Sequence, residues 1–185
     1  MLENYKNHVE ERLKEGIPPL PLNAEQVSDL VELLKSPPNG EEDYLLDLIT
    51  NRTPAGVDPA AYVKAAFLTA LAKAETSSPL IDKKHATKLL GTMLGGYNVE
   101  SLISLLEDDE VGSLAADGLS KTLLMFNAKH DVIELAKVND NAKRVVESWS
   151  NGEWFTSKPK LPEVIKAIVF RVDGEINTDD LSPAP

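Results

Sequence analysis

Asn23-Ala24-Glu25-Gln26-Val27-Ser28-Asp29-Leu30-Val31-Glu32-Leu33-Leu34-Lys35 carries the marks of one amphipathic helix. Asn23 is placed to accept from a first-turn amide, and Gln26 completes a capping-box arrangement. Val27, Leu30, Val31 and Leu34 recur at the three- and four-residue spacing of a single buried stripe. Lys35 suits the negative C-terminal end of the helix dipole. Pro37-Pro38-Asn39-Gly40 then breaks the chain. A helix that is apolar along one stripe must find another helix to cover it, and the same grammar recurs on both sides of this stretch.

Upstream, Leu2 to Lys14 reads as a first helix with Leu2, Tyr5, Val9 and Leu13 in register. Gly16 ends it, and Pro18-Pro19 with Pro21 form a stiff extended link. Downstream, a third helix runs from about Glu41 to Asn51, with Glu41-Glu42-Asp43 matching the dipole of its first turn. Asp58-Pro59 is a cap followed by proline at the first helical position, and opens an alanine-rich helix to Glu75. Asp82 caps a helix through about Met93, which Gly95-Gly96 ends, and Asn98 caps Val99 to Leu106. Val111 to Phe126 is the most apolar segment. Its Gly112 and Gly118 would weaken a helix and so mark close packing. Shorter helices follow near His130–Val138 and Asn141–Ser150.

These elements fall into pairs, 23–51, 58–93, 98–126 and 130–150, spaced roughly 35–40 residues apart as in HEAT-like repeats. The expected fold is all-α: a HEAT-like right-handed α-α superhelix of antiparallel helix pairs, burying a shared core and displaying one curved face. The exception is Val164-Ile165-Lys166-Ala167-Ile168-Val169-Phe170-Arg171-Val172, a β-branched run that reads as a strand, followed by the turn Asp173-Gly174. One strand alone is marginal in water, and no partner strands precede it. The expectation is a truncated chain, with residues 1–160 forming the helical domain and 161–185 the first strand and loop of a second. Trp149, Trp154 and Phe155 are expected to pack the junction.

The chain has 185 residues, 42% hydrophobic and only 5% aromatic, which suits stacked aliphatic helices around one core. No apolar run approaches the ~20 residues of a membrane span. The N-terminus lacks the basic start and apolar segment of a signal peptide, so the default compartment is the cytoplasm. Cysteine is absent, which removes disulfides, thiolate nucleophiles and thiolate metal ligands. A net charge of -11 disfavours broad attraction to nucleic acid or anionic lipid. Lys83, Lys84, His85 and Lys88 form the one local basic cluster of note, read as a solvated helix face.

His8, His85 and His130 stand apart in sequence, with no second histidine at metal-ligand spacing. Asp82 and His85 are close enough to touch on a helix. Glu107-Asp108-Asp109-Glu110 lacks the ligand spacing of a calcium loop and reads as a solvated bend. Gly91-Thr92-Met93-Leu94-Gly95-Gly96 lacks the Lys-Ser/Thr ending of a P-loop and reads as helix termination. Thr178, Asp179 and Ser182 put two hydroxyls and a carboxylate on one short loop. Such a group can hydrogen-bond a hydroxy acid or hold a catalytic proton, and can equally form a local Asx-type turn.

That loop, Asn177-Thr178-Asp179-Asp180-Leu181-Ser182-Pro183-Ala184, resembles the opening of the mobile swivel domain of aconitases. The wider family reads Thr-Asp-His-Ile-Ser there; Asp180 departs from that histidine but agrees with the bacterial B-type aconitases. The upstream segments resemble the same subfamily, which has a HEAT-like domain in this position. They are Met1-Leu2-Glu3 with His8-Val9, Val31 to Lys35, Leu45-Leu46-Asp47-Leu48, Ala61 to Ala65, Leu89 to Met93 and Gly95-Gly96-Tyr97-Asn98.

The resemblance implies a hydro-lyase that interconverts citrate and isocitrate through cis-aconitate and also hydrates 2-methyl-cis-aconitate. It implies substrate contacts from Thr178, Asp179 and Ser182, with Asp179 and Ser182 also catalytic. It implies a 4Fe-4S cluster in the full-length enzyme, with ligands that are not in this cysteine-free chain. The chain alone is then expected to be inactive. The helical domain is expected to be an accessory that contacts a second copy or other metabolic enzymes, shapes the path to the active site, or binds messenger RNA in the cluster-free protein. The rival readings are a non-enzymatic α-solenoid that binds proteins and an RNA-binding regulator. A free-standing solenoid calls for a polar capping helix rather than an unpaired Val/Ile strand.

Overall fold

The computed structural model describes residues 1–122, 127–169, 171 and 174. Among them are ten helices and no strand. The chain divides into two compact units, Pro21–Lys160 and Met1–Leu20 with Leu161–Pro185.

The larger unit holds α2 (Ala24–Lys35), α3 (Glu42–Asn51), α4 (Pro59–Ala72), α5 (Lys83–Gly91), α6 (Val99–Leu105), α7 (Gly112–Ser120), α8 (Lys129–Leu135), α9 (Asp140–Asn151) and α10 (Glu153–Thr156). Its main packing runs α2 to α4 to α5 to α7 to α9, with α3 against α2, α6 against α7 and α8 against α9. This is a HEAT-like array, and its pairs follow the periodicity in the sequence. The core is aliphatic: Leu30, Leu34, Leu45, Leu48, Leu68, Leu90, Leu102 and Leu106 are almost wholly excluded from solvent. Each contributes about 1.5–3 kcal/mol relative to an exposed position.

Local signals place the helix starts. Asn23 accepts from the Gln26 amide at 2.9 Å, while the Asn23 amide donates to Gln26 Oε1 at 2.9 Å, which closes the capping box. Asp58 accepts from the Ala60 amide, with Pro59 at the first helical position. Asn139 accepts from the Ala142 amide. Longer-range bonds clamp neighbours together. Thr69 Oγ1 donates to Ser101 Oγ at 2.7 Å, Ser78 Oγ to the Leu34 carbonyl at 2.6 Å, and Trp149 Nε1 to the Leu119 carbonyl at 3.0 Å. Both suspected packing glycines are seams. A Cβ on Gly118 would stand 2.8 Å from Gly91 Cα, and one on Gly112 would stand 2.7 Å from the Leu106 carbonyl oxygen.

Several elements differ from expectation. The alanine-rich helix ends at Ala72, where Ala74 adopts φ +58° and turns the chain early. The segment expected as one helix from Val111 to Phe126 closes at Ser120; Leu123 to Phe126 lie outside the described residues. Asn98 occupies the cap position of α6 but makes no cap bond. Its Nδ2 instead donates backwards to the Leu90 and Met93 carbonyls, at 2.7 and 3.3 Å.

In the smaller unit, α1 (Leu2–Lys14) is followed by Gly16 at φ +73°, and the chain turns back along the helix. Tyr5 Oη donates to the Leu20 carbonyl at 2.7 Å, and Arg12 Nε donates to the Pro18 carbonyl at 3.0 Å. The proline-rich stretch is therefore pinned against α1. Residues 164–169, the described part of the expected strand, form no ladder; Val164, Ile165, Ile168 and Val169 are exposed. A strand gains its hydrogen bonds from a neighbour, and none is present among the described residues.

Candidate functional site

Thr178, Asp179 and Ser182, the residues singled out for chemistry, lie outside the described residues, as does Asp180. The other candidates resolve into structural roles. His8 Nε2 accepts from the Leu20 amide at 3.0 Å. Asp82 does meet His85, but through the backbone: Oδ1 accepts from the His85 amide at 2.6 Å as the cap of α5. Among the described residues no group of three or more His, Asp or Glu side chains is placed to hold a metal ion. No described helix is long and apolar enough to cross a membrane.

The basic cluster and the acidic bend, read separately in the sequence, meet each other. Lys83 Nζ donates to Asp108 Oδ2 at 2.6 Å, and Glu110 approaches both Lys83 and Lys84 at 3.8 Å. The hydrogen bond from Lys83 holds the Asp108 carboxyl below its ordinary value, and the bond to Asp108 raises the Lys83 ammonium. Asp108 Oδ1 also accepts from the Glu110 and Val111 amides, so the bend is an organised turn rather than a solvated one. With two of its lysines countered by acids, this face is poorly suited to phosphate.

Gly91 to Asn98 ends α5 as expected, with Gly95 at φ +89° and Gly96 at φ +93°. The Gly95 backbone lies so close to Gly56 that a side chain on it has no room. This contact brings together the loops that follow α3 and α5. Beneath them is a cavity of about 130 Å³ lined by Thr50, Thr53, Ala61, Lys64, Thr92 and Met93. Lys64 is only 6% exposed, and burial pushes its amine below the ordinary lysine value. Its signal in the sequence is position: Lys64 falls three residues after Ala61 and four before Leu68, within the buried stripe of α4. Beside the same loops, Val57, Tyr62, Leu94 and Tyr97 are exposed, and the two tyrosine rings meet edge to face at 5.4 Å.

Trp149, Trp154 and Phe155 do not form a single cluster. Trp149 is tied to α7, whereas Trp154 and Phe155 pair edge to face at 5.5 Å, 39% and 67% exposed.

Known proteins match this chain along its whole length. The family described as the aconitate B N-terminal domain matches residues 4–155. Aconitate hydratase B of Pseudomonas aeruginosa is 62% identical over all of this chain and 21% of its own length. The Escherichia coli protein of that name is 58% identical over all of this chain and 22% of its own. That of Helicobacter pylori is 49% identical over 99% of this chain and 22% of its own. The chain thus spans about a fifth of the length of the curated relatives it matches. With its helical array and a family match running from α1 to α10, the chain belongs to the aconitate B N-terminal domain family.

Proposed function

We propose that this chain is the accessory N-terminal part of an aconitate hydratase, acting on tricarboxylic acids in the cytoplasm, and that it has no hydratase activity by itself. The observation that carries this reading is the family match across nearly the whole helical array. In the full-length protein residues 1–160 would form the accessory domain. Residues 161–185 would open the next domain, with the Val164–Val172 run pairing once its sheet is present.

Thr178, Asp179 and Ser182 would then reach the substrate. The two hydroxyls can donate to its carboxylates, and the Asp179 carboxylate can take up a proton or accept from its hydroxyl. The family's 4Fe-4S cluster does not fit this chain, because the thiolates that hold such clusters need cysteine and the sequence has none. Its ligands belong to the rest of the protein, and no step is derived through it.

The test is direct. The 185-residue chain and the full-length protein are assayed with cis-aconitate under anaerobic, cluster-reconstituting conditions. Turnover by the full-length protein alone is the expected result. Turnover by the purified chain would overturn the reading.

The exposed Val57, Tyr62, Leu94 and Tyr97 favour protein contact as the role of the helical part, with a second copy or another metabolic enzyme. Tyr62→Arg would abolish self-association measured by sedimentation if this face is used. Messenger RNA is the weaker candidate, since Lys83 and Lys84 already face acids.

A further inference from the structure

We propose that the cavity around Lys64 is a binding site for a small monocarboxylate anion. Lys64 projects from α4 into a space walled by the ends of α3 and α5. Its ammonium has three protons to donate. The one acceptor it meets among the described residues is the Thr50 carbonyl, at the long distance of 3.4 Å. No aspartate or glutamate is among the described residues that line the cavity. A buried ammonium without a carboxylate is unusual, because burying an unpaired charge is costly.

Among the described residues Lys64 Nζ donates to neither neighbouring hydroxyl. Thr53 Oγ1 donates to the Ile49 carbonyl and Thr92 Oγ1 to the Leu89 carbonyl, so both are turned towards their own helices. The C-terminal ends of α3 and α5 bring partial negative charge to the same place, which favours keeping Lys64 protonated. That negative charge opposes any anion and a dianion twice as strongly, so a single negative charge matched to the single Lys64 ammonium is the chemistry the site supports. Size sets the other limit. A cavity of about 130 Å³ has room for an anion of a few heavy atoms and excludes a nucleotide. The methyl groups and apolar walls of Ala61, Pro54 and Leu94 suit a short alkyl tail.

The experiment uses the 185-residue chain with formate and acetate as probes and sodium chloride at matched ionic strength as control. Thermal unfolding and the ¹³Cε resonance of Lys64 are followed together. The expected result is a saturating rise in Tm, about 3–6 °C at a tenfold excess of anion over its Kd. The same titration should raise the pH midpoint of the Lys64 resonance. Lys64→Met, which fills the same space without a charge, should fold and lose the anion response. Equal stabilisation of the variant, or a response that tracks ionic strength without saturating, would overturn the proposal. So would a Lys64 resonance that ignores both anions, a reading that needs no variant.

Discussion

Gly91 and Gly118 face each other across the α5–α7 contact so closely that a Cβ on Gly118 would stand 2.8 Å from Gly91 Cα. The obstacle is backbone, which cannot swing aside as a flexible side chain would. Gly118→Ala gains roughly 1 kcal/mol of helix propensity but forces the two helices apart, an overpacking cost of about 1–3 kcal/mol. The net expectation is a loss of stability in denaturant unfolding. Gly91→Ala, where the gap is 3.1 Å, should lose less. A Gly118→Ala variant more stable than the parent would refute the seam.

Asn98 is fully buried and ties the end of α5 to the start of α6 through two carbonyls. Asn98→Ala leaves both carbonyls without that donor, and a buried unsatisfied group costs about 1–3 kcal/mol. Its own Oδ1 has no partner among the described residues, which offsets part of what the residue contributes. The midpoint of urea unfolding should fall with an unchanged slope.

Asp108 gives a pH signature. Its folded value lies below the ordinary 3.8, so its contribution is complete above that value and is lost as pH falls through the folded one. Lys83 is raised above 10.5, so its share persists below that value and is lost as pH climbs beyond it. Asp108→Asn keeps the acceptor for the Glu110 and Val111 amides but removes the charge. Its stability should fall less steeply than the parent's as pH drops below the ordinary carboxylate value of 3.8. Parallel acid limbs would show that the Lys83 contact is not formed in solution.

Removing the α2 cap probes purely local structure. Asn23→Ala removes the side-chain half of the capping box, the bond accepted from the Gln26 amide, and should cost about 1 kcal/mol. Asn23→Asp keeps the acceptor and should restore most of it, as read from Tm.

Asn23, Asp58 and Asp82 were legible because a cap bonds an amide two or three residues away, and both partners stand together in the sequence. The pairing of helices was legible from apolar period alone. Asn98 was read as a forward cap because its real acceptors, the Leu90 and Met93 carbonyls, depend on how the loop folds back. Gly91 passed for a helix terminator, since its glycine partner lies 27 positions on in another helix. Lys83 and Asp108 were each read as solvated, although they are 25 residues apart in sequence and bonded in space. Lys64 went unremarked because lysine is expected at the surface. The Val164 to Val172 run has strand composition, but composition cannot provide the neighbour that a strand requires. The candidate site loop was legible only through resemblance.

The main packing of the array passes through α5, which meets α4 on one side and α7 on the other. Arrays of this kind behave as sums of neighbour interfaces. Opening the Gly91–Gly118 seam would therefore separate α2–α4 from α6–α9 as two blocks, each keeping its own paired helices. A seam without side chains lets two helices meet backbone to backbone, so one added methyl group there acts on both halves of the stack at once.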